Sequence, residues 1–574
     1  MKNQDIANIL YEIAEFLEMK DVPFKPRAFE KAAHSIEALT EDIKEVYSKG
    51  GVKALEDIPG VGKGIAERLE EILKTGKIRE YERIKKEFPV DLKGLTAIEG
   101  VGPKMVRVFY KKLGVRTIHD LEKAAKAGGI RKLEGFKEKT EENILRGLEF
   151  LKMSGGRFLL GDILPLIREI EQRLAGLKSV KKVAVCGSIR RWQETIGDGD
   201  ILIVSDNPEN IMPFFISMPE VIHVYGQGRT KSSVKLKSGM DLDLRVVPEE
   251  SFGAALQYFT GSLDHNVALR QIAIKKGYKL NEYGVYKGKK QIAGATEEEV
   301  YRILGFPWIP PEIRTHTGEL KVKRLPKLIG YHDLKGDLQI QTDWTDGSNS
   351  IEEMANEAIH LGLEYIAITD HTKSLAMTGG SDEKKLLRQM AYIDKLNAKL
   401  KRQNAKFTVL KGAEVNILKD GTLDIDNNVL GKLDVVGASV HSHFNLSRSE
   451  MTRRIIRAME NPHVDIIFHP TGRVINRRKA YEVDIDELIR SAKKTGTILE
   501  ADAYPDRLDL KDEHIRKCVE AGVKIAIDSD AHSVLHIKYL EYGIAQARRG
   551  WAEAKDVVNT RTCDKMLKLL KGNI

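Results

Sequence analysis

CGSIRRWQETIGDGDILIV, residues 186–204, decides how the middle of this chain is read. The apolar run DILIV has the length and composition of a short strand. The aspartates at its start, Asp198 and Asp200, are alternate residues, so both carboxylates leave the same face of a sheet. Gly187 and Ser188 precede them, and MDLDLRVV, residues 240–247, offers Asp241 and Asp243 on a further strand. Three clustered carboxylates repel one another unless cations lie between them. Hard oxygen ligands that leave room for substrate phosphates select Mg²⁺ or Mn²⁺, and two such ions can clamp the attacking and leaving oxygens of an in-line displacement. An aspartate-rich surface turn would explain GDGD alone, but not the Gly-Ser pair together with the later aspartates.

Around this stretch, short apolar runs such as VKKVAVCG, SVKL and DLDLRVV predict a mixed sheet from about residue 180. Residues 1–150 read instead as short amphipathic helices separated by glycine turns; the first carries Ile6, Ile9, Leu10, Ile13, Phe16 and Leu17 at helical spacing. Two segments repeat: LEDIPGVGKGIAERLEEI at 55–72 and LTAIEGVGPKMVRVFYKKLG at 95–114. Gly60 and Gly62, and Gly100 and Gly102, each precede a new helix whose first free amides suit a phosphate. These segments resemble helix-hairpin-helix motifs, which hold DNA backbone without reading sequence.

A charged, proline-containing stretch at 316–333 reads as a linker to a second half in which strands alternate with helices, the order of a βα barrel-like unit. Ten of the 15 histidines fall after residue 330, several at strand ends beside acids in TDWTDG, ITDH, GAEV, SVHSH, FHPTGR and DSDAH. Imidazoles and carboxylates converging at strand ends point to a multinuclear metal centre. The 574 residues exceed one core, and 42% hydrophobic with 31% charged residues is a globular composition. No apolar run approaches the ~20 residues of a membrane span. With no export signal and three cysteines that form no CxxC pair, a cytoplasmic location is expected. The net charge of +9 favours a polyanionic partner.

Residues 1–315 resemble the family X DNA polymerases, the polymerase beta-like group, through both hairpins, the Gly-Ser and Asp-x-Asp signature, DLRVV, YFTGSLDHNVALR (258–270) and LNEYGVY with GFPWIPPEIR (280–286, 305–314). The resemblance implies that Asp198, Asp200 and Asp243 bind the metals, Asp241 being the less favoured third ligand. It also implies that Gly187, Ser188, Arg191 and Gly197 surround the incoming triphosphate, and that Tyr258, Phe259 and Gly261 lie against its sugar. Asn266 and Arg270 match minor-groove contacts. The position of the family's Schiff-base lysine is Arg68, which stays protonated, so lyase activity is not expected unless Lys63 or Lys74 substitutes.

Residues 334–574 resemble the PHP domain that bacterial and archaeal family X enzymes carry. By that resemblance Asp346, His371, Glu414, His441, His469, Asp530 and His532 are ligands for Zn²⁺ or Mn²⁺, with His443 a weaker candidate. The opening motif departs from the family, with Gln339 and Gln341 where imidazoles are usual. Reduced or absent 3′–5′ exonuclease and abasic-site cleavage is therefore expected. The reading is a multidomain protein: helical DNA-binding domain 1–90, second hairpin subdomain 91–150, α/β nucleotidyltransferase palm with nucleotide-selecting subdomain 151–315, linker 316–333 and PHP unit 334–574. It acts as a monomer on gapped or primer-template DNA with deoxynucleoside triphosphates. Two alternatives are a nuclease as the main activity and a non-catalytic DNA-end scaffold; retention of all the palm carboxylates makes catalysis the simpler account.

Overall fold

The computed structural model describes residues 3–570 apart from positions 38, 40, 59, 97, 99, 100, 154, 155, 206, 376, 377 and 403–405. Its first part is helical, from Asn3–Met19 to Glu138–Met153, around a core that includes Leu10, Phe16, Leu69 and Phe109. Gly62 and Gly102 are extended N-cap residues of Lys63–Thr75 and Pro103–Leu113, and neither helix has a side-chain cap. The opening amides of both helices therefore point outward, while buried Val61 and Val101 pin the turns from beneath. Gly60 has a left-handed φ of 78°, a conformation that costs glycine nothing. Gly100 lies outside the described residues.

The palm is a five-stranded sheet in the order Lys182–Val185, Asp198–Val204, Asp241–Val247, Lys231–Leu236, Val221–Gln227. The second and third strands are parallel and the other pairs antiparallel. Leu242, Leu244 and Val246 join the core with Ile163, Ile167 and Ile170 of helix Leu160–Ala175, so period-two alternation turns Asp241, Asp243 and Arg245 to the other face. Helices Phe252–Thr260 and Leu263–Lys275, a three-stranded antiparallel sheet and helix Glu297–Leu304 follow.

The C-terminal half holds seven parallel strands in chain order: Gly336–Ile340, Tyr365–Ile368, Thr408–Asn416, Val435–Ser439, Ile466–Ile467, Ile498–Asp502 and Ile525–Asp528. Several are buried at every residue, as sheets covered on both faces require. Gln341 N donates to Ala531 O at 2.8 Å and Leu338 N to Asp528 Oδ1 at 2.8 Å, drawing the last strand back to the first into a nearly closed barrel.

The stretch read as a linker, 316–333, packs between the two halves. Glu319 is buried with an oxygen 2.6 Å from His265 Nδ1. Leu320, Leu325 and Leu328 cover the same small core that receives Trp551 from the barrel. Its charged composition hid this spacing of apolar residues. No described helix is long and apolar enough to cross a membrane.

One buried carboxylate ties the palm to the region after it. Glu297 accepts paired hydrogen bonds from Arg190 at 2.8 and 2.8 Å and from Arg314 at 2.6 and 3.0 Å, and one from Trp308 Nε1 at 2.9 Å. Burial alone would raise its pKa, but the two guanidiniums bring it down to about 2. Because this folded value lies below the ordinary 4.5, its stabilisation is complete above that pH and is lost as pH falls toward 2. Glu297→Gln leaves both guanidiniums short of a counter-charge and is expected to cost about 3–5 kcal/mol in urea unfolding at neutral pH. A change under about 1 kcal/mol would mean that the network is not organising this junction.

Candidate active sites

Register across the two parallel palm strands sets Asp198 beside Asp241 and Asp200 beside Asp243. Burial, then the like charges of Asp198 and Asp243, push the Asp200 pKa up to about 6. Asp241 is drawn away: Lys235 Nζ pairs with it at 2.9 Å and Tyr225 OH donates at 3.1 Å, holding its carboxyl below the usual range. Asp243 pairs with Lys231 Nζ at 2.8 Å. Asp200, crowded by the like charges of Asp198 and Asp243, completes with them a carboxylate donor set that hard divalent cations fit.

The turn before them approaches closely. Gly187 has φ 67°, and a Cβ there would lie 3.4 Å from Asp200 Oδ2. Arg191 donates to Thr260 O, and burial, with Arg549, Arg314 and Arg157 nearby, lowers its pKa to about 10. Gly261 has φ 69°, and a Cβ on it would come within 3.0 Å of Arg191 NH1. The Phe259 ring lies beneath the Arg245 guanidinium at 4.6 Å and meets Tyr258 edge-on at 5.1 Å. Gly197 faces Arg157, whose NH1 would be 3.2 Å from a Cβ there. Asn266, expected at the minor groove, is instead buried and committed: it accepts from Gln257 Nε2 at 2.7 Å and donates to Tyr258 O at 2.7 Å. Arg270 Nε donates to Asn266 O at 3.4 Å.

The second constellation lies at the C-terminal ends of the barrel strands. Glu414 is fully buried; its Oε1 lies 3.1 Å from His441 Nε2 and 2.9 Å from His469 Nε2, and its Oε2 lies 3.4 Å from His371 Nδ1. Burial opposes its charge, but His371 and His441 hold the carboxyl well below the usual range. Asn416 Oδ1, 2.8 Å from His441 Nδ1, orients that ring. Asp346 Oδ2 sits 3.6 Å from His371 Nε2 and 3.7 Å from His532 Nε2. Two groups thus gather donor atoms within 4.8 Å of one another, Asp346–His371–His532 and His371–Glu414–His441, and both fit a cation.

Gln339 and Gln341 change the remaining corner. Their Nε2 groups donate to Glu414 Oε2 at 3.3 and 2.8 Å, while their buried Oε1 atoms have no hydrogen-bond partner. Asp530 is turned toward Arg507, whose Nε is 3.5 Å from Asp530 Oδ2 and 3.6 Å from Asp502 Oδ2. An amide is a poorer ligand than an imidazole for Zn²⁺ or Mn²⁺, so this corner holds a cation less well. His443 is exposed and joins neither group. In the helical region Arg68 Nε donates to Glu80 at 2.6 Å and its guanidinium covers the Phe29 ring, while Lys74 pairs with Glu70 at 2.8 Å.

Comparison with known proteins places both halves of the chain. A helix-hairpin-helix domain matches residues 1–78, a SAM-like helix-hairpin-helix tandem 92–149, the DNA polymerase beta thumb 255–315 and the PHP domain 337–561. The DNA polymerase/3′-5′ exonuclease PolX of Bacillus subtilis (strain 168) is 39% identical over 579 aligned residues, spanning 100% of both chains. The chain belongs to the PolX family of DNA polymerases. Each half also has separate relatives. A probable phosphatase of Thermoanaerobacter sp. (strain X514) is 31% identical over 37% of this chain and 84% of its own length. DNA polymerase lambda of Rattus norvegicus is 28% identical over 45% of this chain and 48% of its own.

Within this PolX-family chain, sequence reading missed Glu194, Glu297, Arg314, Arg473 and Arg507. Glu194, Arg314 and Arg473 lie inside quoted motifs without being ligand positions of them, and each of the five acquires its partners only when distant segments meet. The raised Asp200 pKa carries a stability cost: the repulsion is absent while the carboxyl is protonated and appears as pH rises through about 6. Asp200→Asn should stabilise the metal-free protein at pH 8 by about 1–3 kcal/mol, discounted for partial exposure, in thermal unfolding with a chelator. Equal or lower stability would mean that these carboxylates do not repel.

Proposed function

We propose that this PolX-family chain fills short gaps in DNA by template-directed nucleotidyl transfer, and that its PHP domain is a weakened two-ion phosphoesterase. The cluster of Asp198, Asp200 and Asp243 beside the Gly187 turn carries the reading. Those three carboxylates would hold Mg²⁺ or Mn²⁺, which when bound neutralises triphosphate charge and lowers the pKa of a primer 3′-hydroxyl. Ser188 and Arg191 bind the phosphates of the deoxynucleoside triphosphate, and Thr260 O keeps the Arg191 guanidinium pointed at them. Tyr258, Phe259 and Gly261 present a crowded edge to the sugar, which disfavours a ribose 2′-hydroxyl. Asn266 supports that edge through its bond to Tyr258 O, leaving Arg270 the better placed of the two for the nascent pair. Gly60, Gly62 and Gly102 shape the amide turns that hold DNA backbone.

In the barrel, Asp346, His371, Glu414, His441, His469 and His532 would hold two Zn²⁺ or Mn²⁺ ions, which when bound supply an activated water for hydrolysis of a 3′-terminal phosphodiester. Arg507 Nε lies 3.5 Å from Asp530 Oδ2, and the glutamine amides donate to Glu414 Oε2. One chain completes each site and the three cysteines are free thiols, so the working unit is read as a cytoplasmic monomer.

A labelled gapped primer-template, with Mg²⁺ or Mn²⁺ and with or without deoxynucleotides, tests the polymerase assignment. Asp200→Ala should lower extension about 100- to 1,000-fold; undiminished extension would remove these carboxylates from the chemistry. Shortening of the primer without deoxynucleotides should be slow and should vanish in Glu414→Ala. The double variant Gln339→His with Gln341→His is expected to bind one more metal ion per chain by elemental analysis and to shorten primers faster. Unchanged metal content would mean that the amides are not what limits the PHP site.

A further inference from the structure

Residues 191–194 join the turn of Gly187 and Ser188 to the strand that begins at Asp198. Their placement therefore sets the phosphate-binding turn against the carboxylates. Much of what surrounds this palm loop comes from beyond residue 330. Glu194 receives a two-pronged pair from Arg473, NH1 to Oε2 at 3.0 Å and NH2 to Oε1 at 2.6 Å, and a further bond from Gln546 Nε2 at 2.7 Å. Burial works against this carboxylate, but Arg473 holds its pKa below the usual range. Trp192 has the left-handed φ of 52°, uncommon for a bulky side chain. It is caged by Tyr331 at 5.7 Å, Tyr542 at 5.6 Å and the Arg168 guanidinium at 5.6 Å, and Arg168 is itself clamped to Glu541 at 2.8 and 2.9 Å. Arg549 NH1 donates to Arg191 O at 3.4 Å.

The other end of the clamp is equally fixed. Arg473 also donates to Leu508 O, and it closes the short loop that starts at His469. Thr471 in that loop bonds the Asp509 carboxylate through N at 3.0 Å and Oγ1 at 2.8 Å. Leu508 and Tyr542 belong to the palm core itself. On the palm side, Leu160 N donates to Glu194 O at 3.1 Å, so the same residue is held from both halves.

We propose that Arg473, a residue of the PHP barrel, is a positioning residue for nucleotidyl transfer: by fixing Glu194 it holds the loop 191–194 and so the spacing between the Ser188–Arg191 turn and the palm carboxylates. This rests on the reading of Asp198, Asp200 and Asp243 as the polymerase centre. A planar guanidinium matches the carboxylate in two parallel bonds, which fixes direction as well as distance; lysine keeps the charge but not the fork. Removing Arg473 alone leaves a buried charge without its partner, which disturbs stability whatever the catalytic role. Removing both charges lifts that penalty and isolates the positioning effect.

The full-length chain is assayed for single-nucleotide gap filling as wild type, Arg473→Met, Arg473→Lys, the double variant Glu194→Gln with Arg473→Met, and Asp200→Ala. Thermal midpoint, primer-template Kd, and kcat and KM for the deoxynucleotide are read for each. The expected result is a KM raised about tenfold, or 1.4 kcal/mol, in Arg473→Met and in the double variant, with a smaller rise in Arg473→Lys. DNA affinity is unchanged, and the double variant recovers the thermal midpoint but not the KM. If the double variant recovers both, or if KM in Arg473→Met equals that of wild type, the positioning role is overturned. Should Arg473→Met fail to fold, Arg473→Lys decides: a wild-type KM overturns the proposal. Undiminished extension by Asp200→Ala would instead overturn the assignment of the palm centre, a separate outcome.

Discussion

Negative charge gathered against its own repulsion is the constraint around which both halves are built. In the palm, parallel register puts Asp200 next to Asp243 and sheet alternation puts Asp198 on the same face, and burial together with this conflict raises the Asp200 pKa. In the barrel, Glu414 is relieved by three imidazoles, whereas Glu500, Asp502 and Asp528 are left with carboxyls pushed well above their usual range, by burial first and by neighbouring acids next. Such clusters survive only on rigid frames. Here the frames are strands whose opposite residues fill a core, so that moving a carboxylate would require moving Leu242, Leu244 or the fully buried residues of Ile498–Asp502.

The two frames are not independent. Besides the Glu194 clamp, Arg548 pairs with Glu312 at 2.7 Å and Tyr331 OH donates to the same carboxylate at 2.9 Å. Gly161 approaches Pro505 so closely that a Cβ would fall 2.3 Å from its Cβ. Contacts of this kind make palm and barrel one packed body, in which an apolar core is shared across the junction and the charged groups are paired. The barrel therefore contributes structure to the palm whether or not its own hydrolytic centre is fast. The PHP domain, with Gln339 and Gln341 at the end of its first strand, has in this packing a physical reason to remain folded and attached.

The glutamines illustrate how a site can be altered without collapse. Each keeps one bond, its amide donating to Glu414, in place of what an imidazole would do as an acceptor toward a cation. The two donor groups share His371, and the second also contains the Glu414 that receives the glutamine amides; their ligands hang from different strand ends, His371 after Tyr365–Ile368 and His441 after Val435–Ser439. Separate strands let one corner drift while the rest is retained.

Much of this was legible in the linear order of residues. Period-two spacing put Asp198 and Asp200 on one face, repeated Gly-x-Gly turns marked the helix starts at Gly62 and Gly102, and acids and histidines at the ends of apolar runs marked a barrel rim. These are local properties, governed by the geometry of a strand or a helix over a few residues. Tertiary structure alone decided the rest: that Lys235 and Tyr225 bind Asp241 while Lys231 pairs with Asp243; that Arg507 lies beside Asp530; that the stretch 316–333 packs onto the core that Trp551 also enters; and that Glu194 meets Arg473 from the far half of the chain. In each case the deciding partner is distant in sequence or chosen among near neighbours by burial. Coulombic attraction and desolvation depend on where chains meet in space, which no local spacing encodes.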